Sequence, residues 1–138
     1  MSYSSWVKSH GEKHNKIMEK LKDLSDNEVI EYFRFENMVE KESEFCPLYK
    51  KSRKCHNLED LNCYLCACPN FRFNDSGFRE INGKTLYSYC SINSKYGRES
   101  ISEKAIHQDC SLCPIPHRER FIKRLFKRDW FEIFKENL

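Results

Sequence analysis

The sequence predicts a small α+β fold in which helices at both ends pack on a loop-rich, metal-stabilised cysteine core with one β-hairpin. Three observations predict it. All eight cysteines lie between Cys46 and Cys113. Helical periodicity marks both ends of the chain, and an Asn82-Gly83 turn between apolar segments marks a hairpin in the middle. We therefore expect one domain over 1–138, divided into a helical N-terminal part (1–45), a cysteine-rich metal core (46–117) and a basic amphipathic C-terminal helix (118–138).

A first helix is predicted over residues 4–24, where apolar side chains recur at helical spacing. His10 and His14 are four residues apart and therefore share one face. That spacing can bind a metal, but a pair of partly exposed polar residues is the simpler interpretation. Gly11 between them is expected to weaken the helix by up to ~1 kcal/mol.

A second helix is predicted to begin at Ser25, because Ser25 and Glu28 have the spacing of a capping box. Its body extends to Val39, and apolar residues cover most of its circumference. We therefore expect this helix to be heavily buried against the metal core.

The cysteine-rich part supplies the candidate metal ligands. Two Cys-x-x-Cys pairs, Cys63–Cys66 and Cys110–Cys113, allow both sulfurs of a pair to reach one ion, and two pairs can close a tetrahedral zinc site. Ten donors exceed the four that one closed site needs, so we expect two sites. One grouping joins those two pairs, but spacing leaves the grouping open. The predicted ligands are Cys46, Cys55, His56, Cys63, Cys66, Cys68, Cys90, Cys110, Cys113 and His117.

The cysteine pattern and the first residues of the chain predict the cellular compartment and the bound metal. The first residues contain no apolar segment of a secretory signal, and no apolar run is long enough to cross a membrane. We therefore expect a cytoplasmic protein with no membrane association, whose thiols bind metal rather than form a disulfide framework. Zinc is the expected metal. An iron–sulfur cluster is the alternative, because Cys68-Pro69 and Cys113-Pro114 resemble ferredoxin-type ligation.

The hairpin and the C-terminal segment complete the prediction. The hairpin is expected to carry Cys90 back toward the other cysteines, and residues 93–106 are expected to form a loop with a helical turn. From His117 onward an apolar stripe at helical spacing is flanked by basic residues. A net charge of +3 is too small to indicate nucleic-acid binding. We expect weak, non-specific nucleic-acid binding at most, and a possible protein partner at the basic helix.

The order of the cysteine motifs resembles the cysteine-rich small domain family, a group of prokaryotic proteins described as probable metal-binding domains. The resemblance is carried by Cys46-Pro47, Cys55-His56, the segment 62–69 with Cys-x-x-Cys-x-Cys-Pro, Cys90, and the segment 109–117 with Asp-Cys-x-x-Cys-x-x-Pro-His. It implies metal ligation at the cysteines. Some members of the family are linked with cobalamin-salvage proteins. The resemblance covers residues 46–117 and leaves out the helical ends.

Two functional hypotheses follow. The first is a small binding module in which the metal is mainly structural; the second is a redox or catalytic protein with an iron–sulfur cluster or an open metal position. No nucleotide-binding loop or nucleophile elbow is present, so the sequence identifies no catalytic residue. We expect His117 to ligate the metal or to hydrogen-bond a liganding thiolate. His56 directly follows Cys55, and we expect their side chains to diverge.

Overall fold

The computed structural model describes residues 2–135 and shows a small α+β fold, as predicted. Helices lie at both ends and strands lie in the middle. The N-terminal helices are α1 (Tyr3–Lys20), α2 (Asp26–Tyr32) and α3 (Phe35–Lys41). The strands are β1 (Phe71–Phe73), β2 (Arg79–Ile81), β3 (Lys84–Leu86), β4 (Ser88–Cys90), β5 (Arg98–Ile101) and β6 (Ala105–Asp109). The C-terminal helices are α4 (Glu119–Leu125) and α5 (Trp130–Phe134), and 3-10 turns occupy Pro47–Lys51 and Ile115–His117.

The first helix is buried along the face that contains both histidines. Ser2 caps α1 by accepting a hydrogen bond from the Ser5 backbone N–H at 3.1 Å. His10 and His14 are both buried, so the expectation of a partly exposed pair is wrong. Their rings pack among aromatic side chains, and His14 stacks on Phe33 with ring centroids 4.9 Å apart. The pair is therefore part of the core.

The capping box at Ser25 and Glu28 is present, but the predicted second helix is broken in two. The Glu28 N–H donates to Ser25 Oγ at 3.2 Å, and the Ser25 N–H donates to Glu28 Oε1 at 3.0 Å. Arg34 is extended, with φ −62° and ψ 143°, and forms an isolated antiparallel bridge with Asn62. This pairing with a segment distant in sequence ends α2 and starts α3, which helical periodicity cannot indicate.

The predicted C-terminal helix is likewise two short helices. Phe126 leaves the helical conformation, with φ −58° and ψ 125°. Asp129 then caps α5 by accepting a hydrogen bond from the Phe131 N–H at 3.0 Å. The Trp130 N–H donates to Asn15 Oδ1 of α1 at 3.0 Å, so the break allows α5 to dock on α1.

The apolar core belongs almost entirely to the helical ends and the segment 45–65. Its largest fully buried side chains include Trp130, Tyr64 and Phe33. In contrast, residues 71–113 bury only two aliphatic side chains, Leu86 and Ile106, and the thiol of Cys113. The sheet region therefore has very little apolar core of its own.

The predicted hairpin is present and is part of a larger sheet. Strands β2 and β3 pair antiparallel across Asn82 and Gly83, whose φ values of 51° and 80° match the positive-φ turn that Asn-Gly favours. The sheet has the order β2-β3-β6-β5, with β3 and β6 parallel, and β1 pairs separately with β4. Residues 93–106 contribute β5 and the start of β6, so the expectation of a loop with a helical turn is wrong there. None of the helices described is both long and apolar enough to span a bilayer.

Candidate metal centre

The first Cys-x-x-Cys pair is held by the same bridge that divides α2 from α3. The Cys63 N–H donates to the Phe33 carbonyl at 2.9 Å, and the Phe35 N–H donates to the Leu61 carbonyl at 3.0 Å. A tight turn follows, in which the Cys66 N–H reaches the Cys63 carbonyl at 3.3 Å. These hydrogen bonds therefore anchor the backbone around Cys63 to the helical core without any contribution from a metal.

Asn62 lies in the centre of this region and is fully buried. Its Nδ2 donates to the Ile30 carbonyl at 2.7 Å and to Glu119 Oε2 at 3.1 Å, and its Oδ1 accepts from the Tyr64 N–H at 2.9 Å. Its side chain thus ties α2, α4 and the cysteine turn together. In the sequence, Asn62 stands only as the first residue of the segment 62–69, and its buried role was not predicted. Its position directly before Cys63 is the only feature of the sequence that could have indicated this role.

His117 is oriented by two hydrogen bonds to the backbone of Asn62, one through its own carbonyl and one through its ring. The Asn62 N–H donates to the His117 carbonyl at 2.9 Å, and His117 Nδ1 lies 2.9 Å from the Asn62 carbonyl. A carbonyl can only accept, so Nδ1 carries the proton and Nε2 presents a lone pair. Burial lowers the pKa of His117 to about 4, which keeps the ring neutral near pH 7. This arrangement is typical of metal-ligating histidines.

Cys55, His56 and His117 bring their ligand atoms within 4.8 Å of one another. His117 Nε2 lies 3.5 Å from Cys55 Sγ, and His56 Nδ1 lies 3.1 Å from the same sulfur. The two imidazole rings are 4.9 Å apart between centroids. The expectation that the side chains of Cys55 and His56 diverge is therefore wrong. Within residues 2–135 no other three Cys, His, Asp or Glu side chains come this close together.

Three further cysteines lie beside this centre. A cavity of about 20 Å³ is lined by His117 and by Cys46, Cys55, Cys63 and Cys66. Burial, and then the neighbouring thiols, raise the pKa of Cys66, and burial raises that of Cys63 to about 12. The Tyr49 hydroxyl is buried without a regular hydrogen-bond partner and faces the Cys63 thiol. In the absence of metal the sulfurs of Cys63 and Cys66 are therefore protonated near pH 7, and a metal ion must displace their protons.

The other four cysteines line a second, larger cavity of about 260 Å³, which His56 and His117 also border. These cysteines are Cys68, Cys90, Cys110 and Cys113. Ser94 contacts two of them: its N–H donates to Cys90 Sγ at 3.4 Å, and its Oγ lies 3.3 Å from Cys113 Sγ. Ser94 was not among the residues that the sequence indicated, because serine has no characteristic spacing relative to cysteine.

The eight cysteines thus divide by position in the chain, the first four around one cavity and the last four around the other. The grouping suggested by the two Cys-x-x-Cys pairs, Cys63 and Cys66 with Cys110 and Cys113, is not what the structure shows. None of the cysteines in the described chain is joined in a disulfide. His107 lines neither cavity and stacks on Tyr87, with ring centroids 5.2 Å apart.

The donor set fits a soft metal. Thiolates and neutral imidazoles suit zinc or iron–sulfur clusters, whereas calcium and magnesium require oxygen ligands. Comparisons with protein-family models, with curated proteins and with solved structures each found no match to this chain. The geometry of the cysteines and histidines is therefore what indicates a function for this protein.

Proposed function

We propose that the protein binds zinc at the centre around Cys55, and that this metal is mainly structural. One observation carries the proposal. His117 Nε2 faces Cys55 Sγ at 3.5 Å, with its lone pair exposed because Nδ1 is engaged by the Asn62 carbonyl. A deprotonated sulfur and an imidazole lone pair repel each other unless a proton or a metal ion lies between them. Bound zinc would take the place of the thiol proton between these two atoms and link the segments that supply its ligands.

The number of available donors supports closed coordination. Cys46, Cys63 and Cys66 line the same small cavity as Cys55 and His117. A structural zinc site needs four ligands, and these five side chains exceed that number without any water. His56 then contacts the Cys55 sulfur through Nδ1 or replaces one thiolate.

A catalytic or redox centre is the second candidate, and the larger cavity favours it. His56 and His117 border that cavity of about 260 Å³ as well as the metal centre. Three protein ligands with an open fourth position are typical of catalytic zinc, where the metal lowers the pKa of bound water. His56 Nε2 is buried and has no hydrogen-bond partner, so it is available to a bound molecule.

The binding-module part of the proposal rests on the C-terminal helices. Arg120, Lys123, Arg124 and Lys127 are exposed on and after α4, whereas Arg128 is bound to Asp26 at 2.8 Å. This basic surface is suited to an acidic segment of a partner protein. Nucleic acid would bind it only weakly and non-specifically. The uncombined thiols, together with the motifs shared with the cysteine-rich small domain family, support a zinc protein of the reducing cytoplasm.

The zinc content of two variants tests the centre. His117→Ala and Cys55→Ser should each lower zinc affinity by at least ~10-fold, the usual cost of losing a ligand or a residue that orients one. His107→Ala is the matched control, because His107 is exposed, stacks on Tyr87 and lines neither cysteine cavity. Affinity is measured by competition with a chromophoric chelator. Unchanged affinity in His117→Ala and Cys55→Ser would refute the centre, and an exchangeable water on the bound metal would select the catalytic alternative.

A further inference from the structure

The sheet region is built with very little buried apolar surface. Residues 71–113 form six strands but bury only Leu86 and Ile106 as aliphatic side chains. The segments β2 and β5 are exposed along their whole length. A region of this size with so little apolar burial normally depends on a disulfide or a metal. No disulfide is present among the described cysteines, and four of them line one cavity, which makes a metal ion the candidate support.

The strand pairing brings Cys90 and Cys110, two of the four cysteines that line the larger cavity, to the same end of the sheet region. Gln108 of β6 donates its N–H to Ser88 Oγ of β4 at 2.7 Å, and the Tyr87 N–H donates to the Ile106 carbonyl at 2.9 Å. Cys90 and Cys110 each lie two residues beyond this junction, Cys90 as the last residue of β4 and Cys110 directly after β6.

The remaining two cysteines come from turns next to those strand ends. Phe71 pairs with Cys90 in the register of β1 and β4, and its N–H donates to the Cys68 carbonyl at 3.2 Å. Cys113 closes a turn in which its N–H donates to the Cys110 carbonyl at 3.0 Å. All four residues therefore line one cavity, and they come from three separate segments of the chain. No three of their sulfurs lie within 4.8 Å of one another, so a bound ion would have to draw them together.

Several backbone N–H groups are already directed at these sulfurs. Ser94 donates its N–H to Cys90 Sγ, and the N–H groups of Asn70 and Phe71 face the sulfur of Cys68. Hydrogen bonds of this kind stabilise a sulfur that carries negative charge. A neutral thiol gains little from them, because S–H is a weak donor and a weak acceptor. Three such N–H groups are therefore in place to stabilise the sulfurs of Cys68 and Cys90 once a metal ion has displaced their protons.

We propose that Cys68, Cys90, Cys110 and Cys113 form a second, independent metal centre that holds one Zn²⁺ ion and stabilises the sheet region. Zinc and four thiols exchange bonds in a balanced way: four S–H bonds break, four Zn–S bonds form, and four protons pass to solvent. The two centres meet at Ala67, which lies between Cys66 of the first centre and Cys68 of the second. Its φ of 81° turns the chain from one centre to the other.

Native mass spectrometry of the zinc-loaded wild-type protein gives the direct test. We expect two zinc ions per chain. Cys110→Ser should retain one ion, and Cys63→Ser should retain the other. Leu112→Ser is the matched control, because Leu112 is exposed between Cys110 and Cys113, and it should retain both ions. One zinc ion in the wild type, two in Cys110→Ser, or iron with inorganic sulfide in the protein as isolated would each overturn the proposal.

The location of each ion can be read without relying on a single variant. Hydrogen exchange should increase in β4 and β6 of Cys110→Ser, while α1 and α2 keep their protection. Cobalt substitution of the wild type adds a count of thiolates, because sulfur-to-cobalt charge-transfer absorption grows with each liganding sulfur. If the Cys55 centre binds no zinc, Cys55→Ser and Cys63→Ser will contain as much zinc as the wild type. If the second centre binds no zinc, Cys110→Ser will contain as much zinc as the wild type. Equal loss of protection in helices and sheet of Cys110→Ser would contradict independence.

Discussion

His117 and Asn62 exchange two hydrogen bonds of 2.9 Å, one from the Asn62 N–H to the His117 carbonyl and one from His117 Nδ1 to the Asn62 carbonyl. The pairing joins the entry to the C-terminal helices with the residue before Cys63. It also fixes the tautomer of His117, so that Nε2 faces Cys55. This pair of hydrogen bonds therefore links the packing of the C-terminal helices to the candidate metal centre.

Asn62→Ala should destabilise the protein and weaken metal binding. The variant leaves the Ile30 carbonyl, Glu119 and the Tyr64 N–H without their buried partner. An unsatisfied buried polar group costs about 1–3 kcal/mol, so we expect a loss of at least ~2 kcal/mol in the free energy of unfolding. Asn37→Ala is the control, because Asn37 makes one exposed hydrogen bond to the Glu31 carbonyl. Urea unfolding measures the free energy of unfolding of both variants, and an equal loss in the two would contradict the role of Asn62.

Removal of metal should loosen the middle of the chain before the helices. Metal-binding free energy is folding free energy where the apolar core is small. We expect hydrogen exchange in residues 55–92 to rise sharply after chelation, while α1 retains protection because Val7 and His14 are fully buried. Mass spectrometry of deuterium uptake, with and without chelator, makes the comparison. Unchanged protection in 55–92 would mean that the metal is peripheral to the fold.

Gly11→Ala should destabilise the protein, although alanine favours helix over glycine by about 1 kcal/mol. A Cβ at position 11 would lie 2.5 Å from Cε3 of Trp130 and 2.9 Å from Cζ of Phe131. Overpacking of this kind costs about 1–3 kcal/mol. Lys13→Ala, an exposed position on the same helix, should change stability little. Thermal unfolding compares the two, and a more stable Gly11→Ala would show that α5 does not dock on α1 as described.

Stability should fall in acid partly because His14 resists protonation. Burial lowers the pKa of His14 to about 3, from an ordinary value of 6.5. The unfolded chain takes up this proton below pH 6.5 and the folded chain does not, so stability is lost as pH falls from about 6.5 to 3. A tenfold change in proton affinity corresponds to about 1.4 kcal/mol, so the loss amounts to several kcal/mol.

His14→Gln isolates this contribution. Glutamine can keep a donor toward the Tyr64 carbonyl, which His14 Nε2 contacts at 3.0 Å, but it does not titrate. Acid also releases metal from thiolates in both proteins, so the difference between their pH profiles reports His14 alone. Parallel profiles of unfolding free energy between pH 7 and 4 would contradict the prediction.

Local features of the sequence determined much of the secondary structure. The capping box at Ser25 and Glu28 and the turn at Asn82 and Gly83 form as predicted, because each depends on residues that are neighbours in the chain. The α+β class and the helical ends also follow from periodicity. The ten candidate ligands follow from residue type and spacing, and their binding of metal stays a prediction.

Only the tertiary structure decided which cysteines face the same cavity. Spacing left the grouping open and allowed Cys63 to join Cys110, whereas the paired strands direct Cys110 to a different cavity from Cys63. The break at Arg34 and the burial of His14 also depend on segments that approach from elsewhere in the chain. Periodicity and spacing describe relations along the chain, but coordination geometry and burial depend on contacts between distant segments. The sequence by itself therefore determined the local elements and the kinds of ligand, and the packing of strands and helices determined how those ligands are grouped.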